Sequence, residues 1–347
     1  MPTPKDEEWR YTNLKINFEN LILEKKIDMK ITSKNATTKE LSKIVNDKMI
    51  AEFFGKSGFS ETDKITNFAE SVWSDGVFAE IEKDGTIEIK FSPQSNQATR
   101  SLIVVRPNAR ARIFEYLESS SASFFANNTE IIAMENSHID YFILQKFFSA
   151  DNFVLKRAIC DRNARIDWHF GYFGGNMSRL KIETVFSGEG SSSENYGVFS
   201  GKEGQHFDIT TLAHHKAPHT SNNILTKGVL KEKSTSVYRG LIKIEKEAQK
   251  TDSYLGDHTL LLSEKALANS IPSLKIDAND VRATHGATVG QVDKEQLFYL
   301  MSKGLDEQEA ETLLVQGFLE PVVAKFNDES FKKIIQKNIE ERILNEN

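Results

Sequence analysis

The sequence contains a single cysteine, Cys160, among its 347 residues. One thiol cannot form an internal disulfide, and a chain without disulfides fits the reducing cytoplasm, where we expect this protein. One thiol also cannot supply the four thiolates that commonly hold a zinc ion or an iron–sulfur cluster within one chain. Any metal or cluster bound here would need other ligand types or ligands from a second chain.

Several other signals are missing from the sequence. No run approaches the roughly 20 apolar residues of a membrane-spanning helix, and the first ten residues lack the apolar core of a secretory signal. The net charge of −6 argues against a dedicated nucleic-acid binder. A phosphate-binding P-loop, a dinucleotide-binding glycine pattern and a nucleophile elbow are also absent. We therefore expect no membrane partner, no nucleic-acid partner and no P-loop ATP site in this chain.

Periodicity divides the chain into three zones, which we expect to pack together. Residues 1–95 mix helical and hairpin signals, residues 96–290 are dominated by short alternating strands, and residues 291–347 are helical. The predicted domains are therefore an N-terminal helical and hairpin region, a β-rich core and a C-terminal helical region.

The first zone carries one helix signal and one hairpin signal. Apolar residues recur at helical spacing over Thr38–Phe54, and Gly55 is placed to end that helix. Residues 77–81 and 86–91 alternate on either side of Asp84-Gly85, a dipeptide typical of hairpin turns.

The central zone repeats at a nearly constant interval. Apolar and polar residues alternate from Ile139, Phe153, Ile166 and Leu180, so strand starts are 14, 13 and 14 residues apart. Even spacing without intervening helices indicates a β-sandwich, a barrel or a β-helix. Periodicity alone does not separate these folds, and a sandwich is the most frequent of them.

The C-terminal zone shows two loose capping boxes, Asp293-x-x-Gln296 and Asp306-x-x-Glu309, each predicting the start of a helix. A last helix is predicted over 328–344 from its apolar stripe.

The sequence is richest in candidate ligands around His206, Asp208, His214 and His215. A β-rich metalloenzyme using these four residues is one hypothesis. The alternative, which we favour, is that these histidines are hydrogen-bonding partners at the edges of strands. Pro218 argues against a helix that would bring His215 and His219 onto one face.

Ordered blocks in the C-terminal half resemble the SufB/SufD family of iron–sulfur cluster assembly proteins. The resemblance is dense from about 200 to 320, looser from 100 to 200 and sparse before that, apart from Glu8–Thr12. The blocks are Tyr238–Ile244, Ala248–Ser253, Leu260–Ser263, Ile271–Ile276, His285–Gly290, Leu297–Gly304 and Gly317–Leu319.

This resemblance implies a mainly β fold, with a right-handed parallel β-helix core and helical segments at the N- and C-termini. It implies a non-enzymatic scaffold subunit of a cytoplasmic SUF complex. Such a subunit would form a dimer through its β-helix, either with a SufB-like subunit or with a second copy. Its C-terminal helices would recruit a SufC-type ATPase, which fits the missing P-loop.

The block His285-Gly286-Ala287-Thr288-Val289-Gly290 looks more like SufD than SufB, whose matching motif is Cys-Glu-His-x-Ala-Thr. Many SufD proteins carry a cysteine two positions before the histidine, where this chain has Ala283. By this resemblance, His285 is the expected metal ligand for a transient iron–sulfur cluster at a subunit interface. The remaining ligands would come from a partner chain or a bound small molecule.

Overall fold

The structure is a computed structural model that describes residues 9–14, 16, 18–55 and 64–343. Its strands are β1 (Met29–Lys34), β2 (Thr37–Glu40), β3 (Val77–Ile81), β4 (Gly85–Phe91), β5 (Gln97–Val105), β6 (Arg110–Ser119), β7 (Phe124–Ala133), β8 (His138–Phe147), β9 (Asp151–Cys160), β10 (Arg165–Tyr172), β11 (Met177–Phe186), β12 (Ser192–Gly201), β13 (His206–His215), β14 (Ser221–Leu230), β15 (Thr235–Ile244), β16 (Asp252–Leu261), β17 (Leu267–Ile276) and β18 (Arg282–Gln291). Its α-helices are α1 (Lys48–Phe53), α2 (Lys64–Val72), α3 (Lys294–Ser302), α4 (Glu307–Val323) and α5 (Glu329–Ile343).

The strands form two nine-stranded sheets that face each other in a solenoid. The first sheet has the order β1-β4-β6-β8-β10-β12-β14-β16-β18, and the second has the order β17-β15-β13-β11-β9-β7-β5-β3-β2. Strands pair in parallel with the strand two steps further along the chain, as in Arg165 opposite Ser192. Among the described residues, antiparallel pairing is confined to the terminal strands β1 and β2. The predicted parallel β-helix core with helices at both ends is confirmed, and the sandwich alternative is wrong.

The interior between the sheets is built from alternate residues of each strand. In β10 the inward-facing residues are Ile166, Trp168, Phe170 and Tyr172, all fully buried in one continuous hydrophobic core. Successive side chains of a strand point to opposite faces, so period-two alternation in the sequence fills this core.

The corners of the solenoid rely on residues with positive φ. Asn108, Asn136 and Asn163 occupy the same corner in successive turns, with φ of 63°, 57° and 54°. Their amides form a ladder, because Asn136 donates to Asn108 over 3.1 Å and Asn163 donates to Asn136 over 3.2 Å. Asparagine tolerates this conformation better than most residues, and Gly190 and His219 take the corner in the following turns.

The predicted hairpin at Asp84-Gly85 is wrong. Strand β3 lies in the second sheet, between β2 and β5, whereas β4 lies in the first sheet, between β1 and β6. The turn is therefore a solenoid corner that carries the chain from one sheet to the other. A hairpin turn and a solenoid corner both need a tight turn, so the Asp84-Gly85 dipeptide could not distinguish one from the other.

The helix predicted over Thr38–Phe54 is only partly present. The chain forms strand β2 and a 3₁₀ turn at Leu41–Lys43 before α1 begins at Lys48. Leu41 is fully buried in a cluster with Phe78 and Leu102 of the second sheet. Tertiary packing and antiparallel pairing with β3 thus overrode the local helical spacing.

Helices α3 and α4 begin at the positions that the capping-box motifs predict. Asp293 accepts backbone hydrogen bonds at the start of α3, and Asp306 and Glu309 form a complete capping box at the start of α4. The predicted last helix is α5, and its expected end at Leu344 lies outside the described residues.

Helices α4 and α5 cover the outer face of the first sheet. Their side chains Leu319 and Ile335 pack on sheet residues such as Phe142 and Val198, and all four are buried.

Candidate functional site

The end of the solenoid at β17 and β18 is open. In the part of the chain that the structure describes, each of these strands is the last in its sheet and pairs with a neighbour on one side only. Exposed apolar side chains lie on both strands, including Leu267, Ile271, Leu274, Ile276 and Val289. An edge strand with unpaired backbone groups and apolar side chains is a template for adding strands from another chain.

His285 lies on this open end. It is opposite Leu255 in the parallel register of β16 and β18. Paired residues of a parallel sheet point to the same face, and Leu255 is fully buried in the interior core. His285 therefore lies on the inward-facing side of β18, yet it is exposed because no further turn of the described chain covers it. A partner packed on this end would meet its imidazole.

A buried carboxyl group lies one turn beneath the open end. Asp257 of β16 is almost fully buried, and desolvation raises its pKa to about 7. Asp257 is opposite Ala287 of β18, two positions along from His285. Asp257 was not among the site residues predicted from the sequence. The one sequence feature that marks it is a charged side chain at an inward-facing position of an alternating strand.

The histidine-rich segment does not form one site. His206 and His214 are both on the outward face of β13, but eight residues of strand place them about 26 Å apart at roughly 3.3 Å per residue. His215 is on the opposite face and stacks on Phe186 with ring centroids 4.4 Å apart. His219 is a corner residue rather than a strand neighbour of His215.

Each of these side chains has a structural partner. His206 and Asp208 both hydrogen-bond to Thr12, at 3.0 and 2.5 Å, within the N-terminal segment that begins at the buried Trp9. Asp208 also accepts a hydrogen bond from Arg239 over 2.8 Å. Glu8, the first residue of the matching N-terminal block, lies outside the described residues.

The other two histidines are hydrogen-bonded as well. His214 contacts Glu245 over 2.7 Å, and His215 contacts Thr220 and Asn222, both over 2.8 Å. Burial lowers the pKa of His215 to about 4, so its imidazole is neutral at pH 7. These contacts are those expected of structural hydrogen-bonding partners.

Cys160 is remote from the open end. It is fully buried at the end of β9, and burial raises the pKa of its thiol far above the usual range. Four strand spacings of about 4.8 Å separate β9 from β17 in the second sheet, or about 19 Å along the solenoid. The structure therefore does not bring Cys160 and His285 together.

A second exposed apolar surface lies on the C-terminal helices. Phe298 and Tyr299 of α3 are 71% and 59% exposed, and Met301 and Leu313 are also exposed. Exposed aromatic clusters of this kind commonly mark protein–protein contacts. Within the described residues, none of the helices has the length and apolar character needed to cross a membrane.

Comparison with known proteins gives consistent matches. A protein called iron–sulfur cluster assembly protein SufB from Bacillus subtilis (strain 168) is 29% identical over 290 residues, covering 80% of this chain and 62% of that protein. SufBD family proteins from Staphylococcus epidermidis and Staphylococcus saprophyticus are each 26% identical over 334 residues, covering 92% of this chain and 71% of theirs. The chain therefore spans about two thirds of the length of these relatives.

The family described as "SUF system FeS cluster assembly, SufBD core domain" matches residues 89–318, which include β5–β18, α3 and most of α4. The solenoid, its open end and this match over more than half of the chain agree: the protein belongs to the SufBD family of the SUF iron–sulfur cluster assembly system.

Proposed function

We propose that this chain is a non-catalytic scaffold subunit that works in the cytoplasm and pairs through the open end of its solenoid. The partner is a SufB-like subunit or a second copy of the chain. The observation that carries this proposal is the pair of edge strands, β17 and β18, with their exposed apolar side chains. Docking a second open end would bury these side chains and pair the free backbone groups.

Pairing can be tested with a charge placed in the edge. Val289 is 42% exposed on β18, so Val289→Lys should prevent association because the ammonium group would be buried in the interface. Ile22→Lys is the matched control, since Ile22 is exposed in the N-terminal segment. Light scattering on the chain alone, and after mixing with the SufB-like protein of the same genome, measures both forms of dimer.

Loss of the dimer in Val289→Lys but not in Ile22→Lys is the expected result. A wild-type chain that stays monomeric alone and with the SufB-like protein would contradict the pairing. Equal association of both variants would contradict the use of this end.

The region 291–347 is proposed to recruit a SufC-type ATPase, with α3 as the main contact. The support for this is the aromatic surface of Phe298 and Tyr299. Deleting the whole region is a poor test, because α4 and α5 cover buried residues such as Phe142 and Val198. Point substitutions on α3 avoid exposing that surface.

We expect the double variant Phe298→Ser and Tyr299→Ser to weaken ATPase binding by at least tenfold in calorimetry. Phe148→Ser is the matched control, because Phe148 is equally exposed on another part of the surface. If the α3 variant binds the SufC-like protein of the same genome as tightly as wild type, this assignment fails.

In this proposal the iron–sulfur cluster is the cargo of the complex, and His285 supplies one ligand at the interface. The chain's own open end offers an imidazole and a buried carboxyl, while its single thiol is buried elsewhere. Thiolates are the usual cluster ligands, so the partner chain or a small molecule would complete the set. This fits a transient cluster shared between two chains.

His285→Ala tests the ligand role. Because the side chain is exposed, the variant should fold and pair normally, while anaerobic reconstitution of the complex should yield less bound iron and sulfide. His219→Asn serves as the control for loss of an exposed histidine. An unchanged iron and sulfide content in the paired His285→Ala complex would remove His285 from the ligand set.

A further inference from the structure

A histidine and two aspartates converge on the outer face of the first sheet, away from the open end. His138 and Asp140 are on β8, and Asp167 is on β10. Nε2 of His138 lies 3.3 Å from Oδ2 of Asp167 and 3.6 Å from Oδ1 of Asp140. In the described part of the chain, this is the one group of three metal-ligand side chains whose ligand atoms all lie within 4.8 Å of one another.

These distances match those between neighbouring ligands of one metal ion. Nitrogen and oxygen ligands lie about 2.0–2.2 Å from zinc, and in tetrahedral geometry two such ligands are about 3.3–3.6 Å apart. An ion could therefore be bound with little movement of the three side chains.

The carboxylates of Asp140 and Asp167 also lie close enough to repel each other. Asp140 is directly opposite Asp167 in the parallel register of β8 and β10. Like charges at opposed positions destabilise a sheet. Arg165 donates to Oδ2 of Asp167 over 2.8 Å and offsets one of the two charges. A divalent cation between the carboxylates would offset the other.

Neighbouring groups hold both carboxylates in place. Oδ1 of Asp167 accepts the backbone N–H of Glu194 over 3.0 Å. Oδ1 of Asp140 accepts a hydrogen bond over 2.5 Å from Asn327, which follows α4. Hydrogen bonds of this kind orient metal-binding carboxylates and tune their affinity. A bound ion would thus also connect β8 and β10 to the C-terminal helices.

A second, independent feature lies beside the three residues. His169 is two residues beyond Asp167 on the same face of β10 and only 2% exposed. Neither of its ring nitrogens has a hydrogen-bond partner among the described residues. A buried polar group without a partner costs about 1–3 kcal/mol. The His169 ring stacks on Phe142 with centroids 4.8 Å apart, so the outer face beside Asp167 holds an imidazole whose hydrogen-bonding capacity is unused.

We propose that His138, Asp140 and Asp167 form a binding site for one divalent first-row metal ion, such as zinc or ferrous iron. One imidazole with two carboxylates is a nitrogen and oxygen set that suits these ions. The site is on the outer face of the solenoid and does not use His285, so it is independent of the cluster chemistry proposed for the open end.

The test is calorimetric titration of the chelator-treated full-length chain with zinc chloride alone, repeated anaerobically with ferrous iron. Wild type should bind one equivalent of at least one of these ions. His138→Gln and Asp140→Asn should each weaken that binding by at least tenfold. The matched controls are His219→Asn and Asp252→Asn, an exposed histidine and an exposed aspartate elsewhere, and both should bind like wild type.

Circular dichroism and thermal unfolding of each variant separate loss of the site from loss of the fold. The ion should raise the unfolding temperature of wild type and of the controls, but not that of His138→Gln, whose side chain is partly exposed. Failure of wild type to bind one equivalent of either ion would overturn the proposal. Equal affinity in wild type and His138→Gln would do the same.

Discussion

The ammonium group of Lys156 lies 2.7 Å from a carboxylate oxygen of Glu115 in the interior of the solenoid. The two side chains are 0% and 1% exposed. Asn127 and Thr129 also accept hydrogen bonds from Lys156, and the hydroxyl of Tyr141 donates to Glu115. This set of partners offsets the desolvation of a buried ion pair, and each charge depends on the other.

Removing one member of this pair should be strongly destabilising. Lys156→Met leaves the carboxylate of Glu115 buried without its counter-charge, which costs about 3–5 kcal/mol. The double variant with Glu115→Leu should recover most of that loss. Urea unfolding measures both free energies, and Lys90→Met, which breaks an exposed pair with Glu118, should cost no more than about 1 kcal/mol. Similar losses in Lys156→Met and Lys90→Met would refute the buried-pair interpretation.

His215 should make the fold less stable in mild acid. Its pKa is lowered by burial to about 4 in the folded chain and is about 6.5 when unfolded. Between these values the unfolded chain binds more protons, so the unfolding free energy falls as pH falls from about 6.5 to 4. The slope from this residue is at most about 1.4 kcal/mol per pH unit. His215→Phe should flatten the urea-measured pH profile in that window, and an unchanged slope would show that His215 is not the titrating group.

Asp257 should act with the opposite sign. Its folded pKa, raised by burial to about 7, exceeds the value of about 3.9 expected when unfolded. Between these values the folded chain binds more protons, so its stabilising contribution is lost as pH rises toward 7. Asp257→Asn should remove this fall in the unfolding free energy, so the stability of the variant relative to wild type should be greater at pH 8 than at pH 4. Parallel pH profiles for the variant and wild type would contradict the expected titration.

Gly171 allows α5 to approach the first sheet closely. A Cβ atom there would lie 2.3 Å from Cδ1 of Ile335 and 2.7 Å from the ring of Phe173. Gly171→Ala should therefore destabilise the fold by about 1–3 kcal/mol through overpacking. Gly317→Ala in α4 is the control, because a Cβ atom at this position meets nothing within 4 Å. Alanine has a higher helix propensity than glycine, so this variant should stabilise the fold by up to about 1 kcal/mol. Thermal unfolding should separate the two, and a Gly171→Ala variant as stable as wild type would argue against this contact.

Cys160 should be chemically inert in the folded chain. The thiolate is the reactive form of cysteine, and burial raises the pKa of this thiol and shields it from solvent. Ellman's reagent should modify about one thiol per chain in concentrated urea, but at a far lower rate under native conditions. Rapid modification of the native chain would show that the interior at β9 opens readily.

The sequence by itself determined the features that depend on neighbouring residues. Alternation fixed the strands from Ile139 to Leu180, because each strand must bury every second side chain in the interior core. The caps of α3 and α4 were readable because Asp293 and Asp306 bond to backbone groups two or three residues away. Motif blocks, rather than periodicity, favoured the β-helix over the sandwich.

Only the tertiary structure decided the features that depend on distant contacts. The Asp84-Gly85 turn became a corner because its two strands have partners in different sheets. The candidate ligands His206, Asp208, His214 and His215 do not form one site, because an extended strand spreads close sequence neighbours over tens of ångströms and over two faces. His138 met Asp167 because each turn of the solenoid returns the chain to a fixed register one strand spacing further on. Glu115 of β6 met Lys156 of β9 because the two sheets face each other across the interior. The exposure of His285 also depends on the tertiary structure, because β18 is the last described strand of its sheet and no further described turn covers its inward-facing side.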